Sequence, residues 1–186
     1  MTKVWPLLAF VLACGSGQEE SQNIPQPVPA KTIPATQTPY GERAQVQTYL
    51  EAINPFVQEV GKIQLEIDKM VGSSGQATGK NLAPAMEIAK PRLQQAIADF
   101  AKISPPPLLS PLHNDIKNMM VLRLAGYETT IRGWAQEQQD GSTEAYAEAE
   151  GKLREANHLI ITLNQEMAKV FQALEQAAQP AQTTAP

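Results

Sequence analysis

The sequence has few of the residues on which catalytic and metal sites most often depend. Its 186 residues include one cysteine and two histidines, and aromatic residues make up only 5%. A zinc site needs three or four Cys, His or carboxylate ligands at suitable spacing. Neither such a cluster nor an HExxH, CxxCH or GxSxG motif occurs in the sequence. We therefore expect that the protein is not an enzyme, and we predict no catalytic residue, metal or cofactor.

Basic residues are also too few for a nucleic-acid-binding protein. Lys and Arg together number 15 against 19 Asp and Glu, which gives a formal net charge of −4. No basic patch is interleaved with aromatic residues, so a phosphate backbone would be repelled. Arg123 and Arg132 are interpreted as isolated residues whose stems cover apolar surface. We predict no binding to nucleic acid.

The single cysteine, Cys14, directly follows an apolar run near the N-terminus. Lys3 gives a short positive start, and residues 4–13 are largely apolar. A run of about ten residues is too short to cross a bilayer, which requires about 20. A positive start followed by a short apolar run is typical of an export signal.

The stretch Val-Leu-Ala-Cys at 11–14 resembles the lipobox of bacterial lipoproteins, in which a small residue precedes the cysteine that receives diacylglycerol. The resemblance implies a signal peptide over 1–13 and a lipid anchor, palmitate included, on Cys14. It also implies a place in the bacterial cell envelope, on the outer membrane facing the periplasm if the cell is Gram-negative. An ordinary secretion signal, cleaved without lipidation, is the alternative.

Proline, Gln, Ser and Thr dominate the segment after the cysteine. Residues 14–40 have too little apolar surface to offset the entropy of ordering, so they are predicted to form a disordered tether. The tail, 179–186, has the same character. The folded domain is therefore predicted to span 41–178.

Apolar residues in this domain recur at helical spacing in four segments, and no stretch alternates as a strand would. The predicted core positions are Val46, Leu50, Ile53, Val57, Val60, Ile67 and Val71, interrupted by Gln64; Met86, Leu93, Ile97 and Phe100; Leu109, Leu112, Ile116, Met120, Tyr127, Ile131 and Trp134; and Tyr146, Ala149, Leu153, Ala156, Ile160, Leu163, Met167, Val170 and Leu174. The pattern predicts an all-α, up-down-up-down four-helix bundle.

The sequence also leaves open one alternative fold and predicts two kinked helices. A three-helix array with helix two loosely docked is the second candidate fold. Pro55 and Pro91 each remove a backbone hydrogen bond, so both are expected to kink their helices.

Helices three and four are expected to form an antiparallel hairpin around Asp140-Gly141. A hairpin with this turn places Trp134 near Ala145 or Ala149, and Tyr127 near Leu153. Small residues opposite large ones would let the two backbones approach while the core stays filled.

The same register places His113 level with Met167. Cytochrome b-type four-helix bundles hold haem between one His and one Met, so this pair is a candidate cofactor site. The favoured interpretation is that Met167 packs in the core and His113 lies at its edge. His158 falls between core positions and is predicted to be exposed.

The leading functional interpretation is an envelope lipoprotein whose bundle contacts another envelope protein or acts as a spacer. A proline-rich run followed by a histidine, from Ser104 to His113, resembles uncharacterised helical lipoproteins and implies no activity. A partner surface is expected at Val71, Leu108, Leu109 or Leu174, with the equal alternative that the loop at 72–83 folds over these helix ends and leaves a polar surface. The alternative is a binding module that holds haem, metal or a small apolar ligand between its helices.

Overall fold

The computed structural model describes residues 36–72 and 77–178. Four helices account for most of them: α1 (Arg43–Gly72), α2 (Gly79–Phe100), α3 (Ser110–Asp140) and α4 (Glu144–Ala178), with strands β1 (Gln37–Thr38) and β2 (Gly41–Glu42) before α1 and a 3₁₀ turn, Pro107–Leu109, before α3. Each helix packs against the next in the chain. The predicted all-α four-helix bundle is confirmed. The predicted signal peptide, Cys14 and the tail lie outside the described residues.

A small hairpin precedes the first helix, where the tether was expected to continue to residue 40. Strands β1 and β2 pair in antiparallel orientation. The Thr38 hydroxyl donates to the Gly41 carbonyl at 2.9 Å and accepts from the Tyr40 backbone N–H at 3.1 Å. Gly41 has a φ of +119°, which other residues rarely adopt. Two-residue strands carry no hydrophobic alternation, so the sequence pattern missed them.

The core of α1 keeps five of the seven predicted positions and adds Tyr49 and Ile63. The buried positions are Val46, Tyr49, Leu50, Ile53, Val60, Ile63 and Ile67. Phe56 completes this seam, and its ring meets Phe100 of α2 edge-on with centroids 5.7 Å apart. Val57 is 44% exposed, so its assignment to the core is wrong. One residue turns a helix by about 100°, and the ring of Phe56 rather than Val57 faces α2.

Helices α3 and α4 form the predicted antiparallel hairpin. Gly141 ends α3 in the left-handed conformation, with a φ of +78°. Side chains then pair at regular intervals along the two helices: Arg132 with Glu148 at 2.7 Å, Thr129 with Lys152 at 3.4 Å, and Arg123 with Asn157 at 2.8 Å. This ladder confirms the register expected from a turn at Asp140-Gly141.

Glycine on α3 allows the close approach of α4. A Cβ atom on Gly126 would lie 2.7 Å from the Leu153 side chain, and one on Gly133 would lie 3.1 Å from the Ala145 methyl group. Gly133 therefore faces Ala145, where Trp134 was expected. The Trp134 ring lies over Gly79, at the start of α2.

The alternative fold with a loosely docked second helix is wrong. Helix α2 packs against both α1 and α3, and it is continuous through Pro91, as α1 is through Pro55. Arg92 also joins α2 to α1 through Glu59, at 2.7 Å, and Glu66. The sparse contact is instead between α1 and α4.

Leu163 is buried in the core and tests the packing of α4. We expect Leu163→Ala to lower the free energy of unfolding by about 2–5 kcal/mol, because it leaves a cavity. The matched control is Leu65→Ala, since Leu65 is 70% exposed on α1 and its truncation leaves no cavity. Urea denaturation followed by circular dichroism measures both. Equal effects of the two substitutions would contradict the burial of Leu163.

Candidate functional site

A groove lies where α1 and α4 make sparse contact. It has a volume of about 330 Å³ and is open on one side. Its lining residues come from all four helices and from the end of the loop before α2: Gln64, Ile67, Asp68, Val71, Gly72, Ala77, Leu82, Met86, Arg123, Tyr127, Leu153 and Asn157. Most of the lining surface is apolar, as in small-molecule sites.

Arg123 is the most unusual residue of this groove. It is only 5% exposed and is hydrogen-bonded to two other helices, so the interpretation of Arg123 as an isolated residue is wrong. Its guanidinium donates to the Gln64 side-chain oxygen on α1 and to the Asn157 side-chain oxygen on α4, the latter at 2.8 Å. The Nε atom has no hydrogen-bond partner among the described residues. Arg123 thus connects three helices through neutral acceptors.

The Tyr127 hydroxyl is a second buried polar group, and it lies beside the Arg123 guanidinium. The residue is 1% exposed and lies one helical turn after Arg123. Burial raises the pKa of the Tyr127 hydroxyl, and the positive charge of Arg123 and its hydrogen bonding to the hydroxyl oppose this rise. The hydroxyl is therefore protonated at neutral pH and is available as a hydrogen-bond donor.

Gln64 connects the buried guanidinium to solvent. Its side-chain oxygen accepts from Arg123, while its amide nitrogen donates to the Asp68 carboxylate at 2.8 Å. Asp68 is exposed and is the acidic residue among those lining the groove. One amide thus separates the positive charge of Arg123 from this negative charge, and the two groups form no ion pair.

A signal for this site was present in the sequence. Arg123 continues the three-and-four spacing of Ile116, Met120 and Tyr127, so it occupies a core position of α3. Gln64 is the polar interruption in the core pattern of α1. Two polar residues at core positions of different helices indicate a buried hydrogen bond, because each needs a partner away from water. Periodicity alone does not show that the two positions face each other.

His113 is buried, and its interpretation as an edge residue is wrong. Its Nδ1 atom lies 3.3 Å from the Tyr49 hydroxyl. Its ring stacks on Phe100, with centroids 4.3 Å apart. Burial, together with the positive charge of Lys117, lowers the pKa of His113 below its ordinary value. The prediction that His158 is exposed is confirmed.

The structure gives His113 and Met167 separate surroundings. One face of the His113 imidazole is covered by Phe100, and Nδ1 is engaged by Tyr49. Met167 is half-buried on α4 and packs against the core. Neither residue lines the groove. Within the described ranges, no group of three or more His, Cys, Asp or Glu residues is placed to hold a metal ion.

Exposed apolar side chains are spread over the bundle. Leu108 is 62% exposed, but the adjacent Leu109 is 1% exposed and belongs to the core, so its assignment to a partner surface is wrong. Val71 and Leu174 are half-buried and pack against the core. The other large exposed apolar residues are Val57, Leu65, Met70, Ile88, Val121, Ile161 and Phe171. Because they come from all four helices, they do not single out one helix as a contact surface.

Comparisons with protein-family models, with curated proteins and with solved structures found no match. Among the helices that the structure describes, none has both the length and the apolar character needed to span a membrane.

The buried imidazole predicts a pH dependence of stability. The unfolded chain takes up a proton on His113 near pH 6.5, whereas the folded protein does so only at lower pH. The stabilising contribution is therefore complete above pH 6.5 and is lost as the pH falls toward the folded pKa. We expect His113→Gln to reduce the fall in melting temperature between about pH 7.5 and about pH 5. The matched control is His158→Gln, at an exposed position; parallel pH curves for the two variants would contradict the assignment.

Proposed function

We propose that the protein is a lipid-anchored protein of the bacterial cell envelope whose bundle binds a small, largely apolar ligand without converting it. The observation that supports binding is the groove between α1 and α4, where the Arg123 guanidinium is buried without an ion-pair partner among the described residues.

The anchor rests on the sequence around Cys14. The Val-Leu-Ala-Cys stretch at 11–14 resembles a lipobox, and a single lipidated cysteine leaves no thiol that could form a wrong disulfide after export. One acyl chain binds a membrane only marginally, whereas two signals together hold a protein stably. Diacylglycerol on Cys14 would meet that requirement.

The energetics of the groove favour a ligand site over a simple spacer. A buried polar group without a hydrogen bond costs about 1–3 kcal/mol, and more when it is charged. An apolar residue of similar volume at position 123 would avoid that cost. In a spacer, an apolar side chain could fill the position that Arg123 takes between α1 and α4, whereas in a binding site the arginine also supplies a polar donor inside an apolar groove.

The chemistry of the lining residues supports binding rather than catalysis. The Arg123 guanidinium is always protonated, and burial raises the pKa of Tyr127, so both side chains donate hydrogen bonds. Gln64 and Asn157 contribute amides, which are neither nucleophiles nor bases. Asp68 is exposed and hydrogen-bonded to Gln64. The described groove thus offers donors and apolar walls.

Contact with another envelope protein is the second candidate function. Leu108 supports it, because this leucine is 62% exposed in the turn between α2 and α3. The adjacent Leu109 fixes the turn by entering the core. The groove is the stronger observation, since its buried polar atoms carry an energetic cost that an exposed leucine does not.

The anchor is tested by changing Cys14. We expect Cys14→Ser to move the protein from the membrane fraction to the soluble fraction, because the acyl chains have no other attachment site. Metabolic labelling with a palmitate analogue should mark the wild type and not the variant. An unlabelled wild-type protein would contradict the anchor and favour an ordinary secretion signal.

Ligand binding in the groove is tested with a neutral apolar dye such as Nile red. We expect Leu82→Trp to weaken dye binding at least about tenfold, because the larger side chain fills the groove and a factor of ten corresponds to only about 1.4 kcal/mol. The matched control, Ile88→Trp, lies on the same helix, but Ile88 is 60% exposed and outside the groove. Fluorescence titration measures both. Equal affinities of the two variants would contradict the groove as a binding site.

A further inference from the structure

We propose that the groove selects an amphiphile with one negative charge, a single-chain carboxylate such as a medium-chain fatty acid. Its carboxylate would bind at Arg123 and Tyr127, and its chain would lie along the apolar walls. This inference rests on the proposed binding function and names the chemistry of the ligand.

The charge of Arg123 carries the argument. The side chain is nine-tenths buried, and both of its hydrogen bonds go to neutral amide oxygens, those of Gln64 and Asn157. A guanidinium has five N–H donors, and these two hydrogen bonds use two of them. A buried charge is costly unless an opposite charge accompanies it. No described acidic side chain forms an ion pair with Arg123, so a ligand carboxylate would supply the missing countercharge.

Gln64 occupies the position that the carboxylate would take. Its neutral oxygen accepts from Arg123, and its half-buried side chain lies at the groove surface. A hydrogen bond from a guanidinium to a carboxylate is roughly twice as strong as one between neutral groups. Exchange of the amide oxygen for a carboxylate oxygen is therefore favourable. The Tyr127 hydroxyl, buried beside Arg123 and protonated at neutral pH, would donate to the second oxygen.

The apolar walls and the volume of the groove limit the polarity and the size of the ligand's chain. Ile67, Val71, Leu82, Met86 and Leu153 form the apolar surface of the groove. The volume of about 330 Å³ is at the low end of the range for small-molecule sites. These dimensions fit one flexible chain of medium length and exclude a two-chain lipid.

Asp68 limits the negative charge that the head group of a ligand can carry. Its carboxylate lies at the groove surface, is exposed to solvent and accepts a hydrogen bond from Gln64 at 2.8 Å. At the same distance, its repulsion of a dianion is twice its repulsion of a monoanion. A monoanionic carboxylate is therefore favoured over a dianionic phosphate.

The experiment compares octanoate with octanol, which has the same chain and no charge. Isothermal titration calorimetry of the wild-type protein at low salt should give at least about tenfold tighter binding of octanoate, because a hydrogen bond between two charged groups is stronger than one to a neutral hydroxyl. Equal affinities for octanoate and octanol would overturn the inference. Arg123→Met should reduce the ratio of the two affinities to about one, because it keeps an unbranched side chain and removes the charge. An unchanged ratio in Arg123→Met would also overturn it.

A second variant keeps the test decisive if Arg123→Met does not fold. Gln64→Glu places a carboxylate of the protein itself next to the guanidinium, so it should abolish the preference for octanoate. The matched control, Gln58→Glu, adds the same charge at an exposed position of the same helix and should retain the preference. If Gln64→Glu and Gln58→Glu both retain the preference for octanoate, the inference is wrong.

Nile red binding tests the groove separately from the carboxylate. If Leu82→Trp blocks dye binding but the wild type shows no preference for octanoate, the proposed binding function stands and only the inference of a carboxylate ligand is wrong.

Discussion

The buried guanidinium of Arg123 is the interaction on which the arrangement of the helices depends. Arg123 belongs to α3 and connects α1 with α4, because its guanidinium donates one hydrogen bond to Gln64 on α1 and another to Asn157 on α4. Elsewhere these two helices touch sparsely. The bundle is therefore closed on three sides by side-chain packing and on the fourth by a polar bridge through α3.

The close packing of α3 and α4 explains why the fourth side stays open. Gly126 and Gly133 let the α4 backbone approach α3 so closely that their missing Cβ atoms would meet Leu153 and Ala145. Helix α1 instead packs on α2 through its heptad seam and the ion pairs of Arg92. With α4 drawn toward α3 and α1 toward α2, a gap remains between α1 and α4, and the groove occupies it.

The sequence predicted the coarse features because they depend on repeated signals. Helical spacing over many residues predicted four helices, and Asp140-Gly141 predicted the hairpin register. Single positions were less predictable. Phe56 rather than Val57 joins the α1 seam because its ring is large enough to reach α2, and apolar periodicity treats Phe56 and Val57 alike. Arg123 was interpreted as isolated because the partners of a charged residue at a core position are unknown until the facing helices are placed.

The point at which the chain enters the bundle determines how far the groove lies from the N-terminal end of the domain. The hairpin β1–β2 leads into α1 and contacts α4, and Tyr40 lies near Lys169 in the last third of that helix. From Arg43 to Gln64 the helix rises about 30 Å, so the groove lies well along α1 from the point of entry. A molecule bound in the groove would therefore lie about six helical turns of α1 away from the end at which the chain enters the bundle. A change in the β1–β2 hairpin would reach such a molecule only through the packing of α1 and α4.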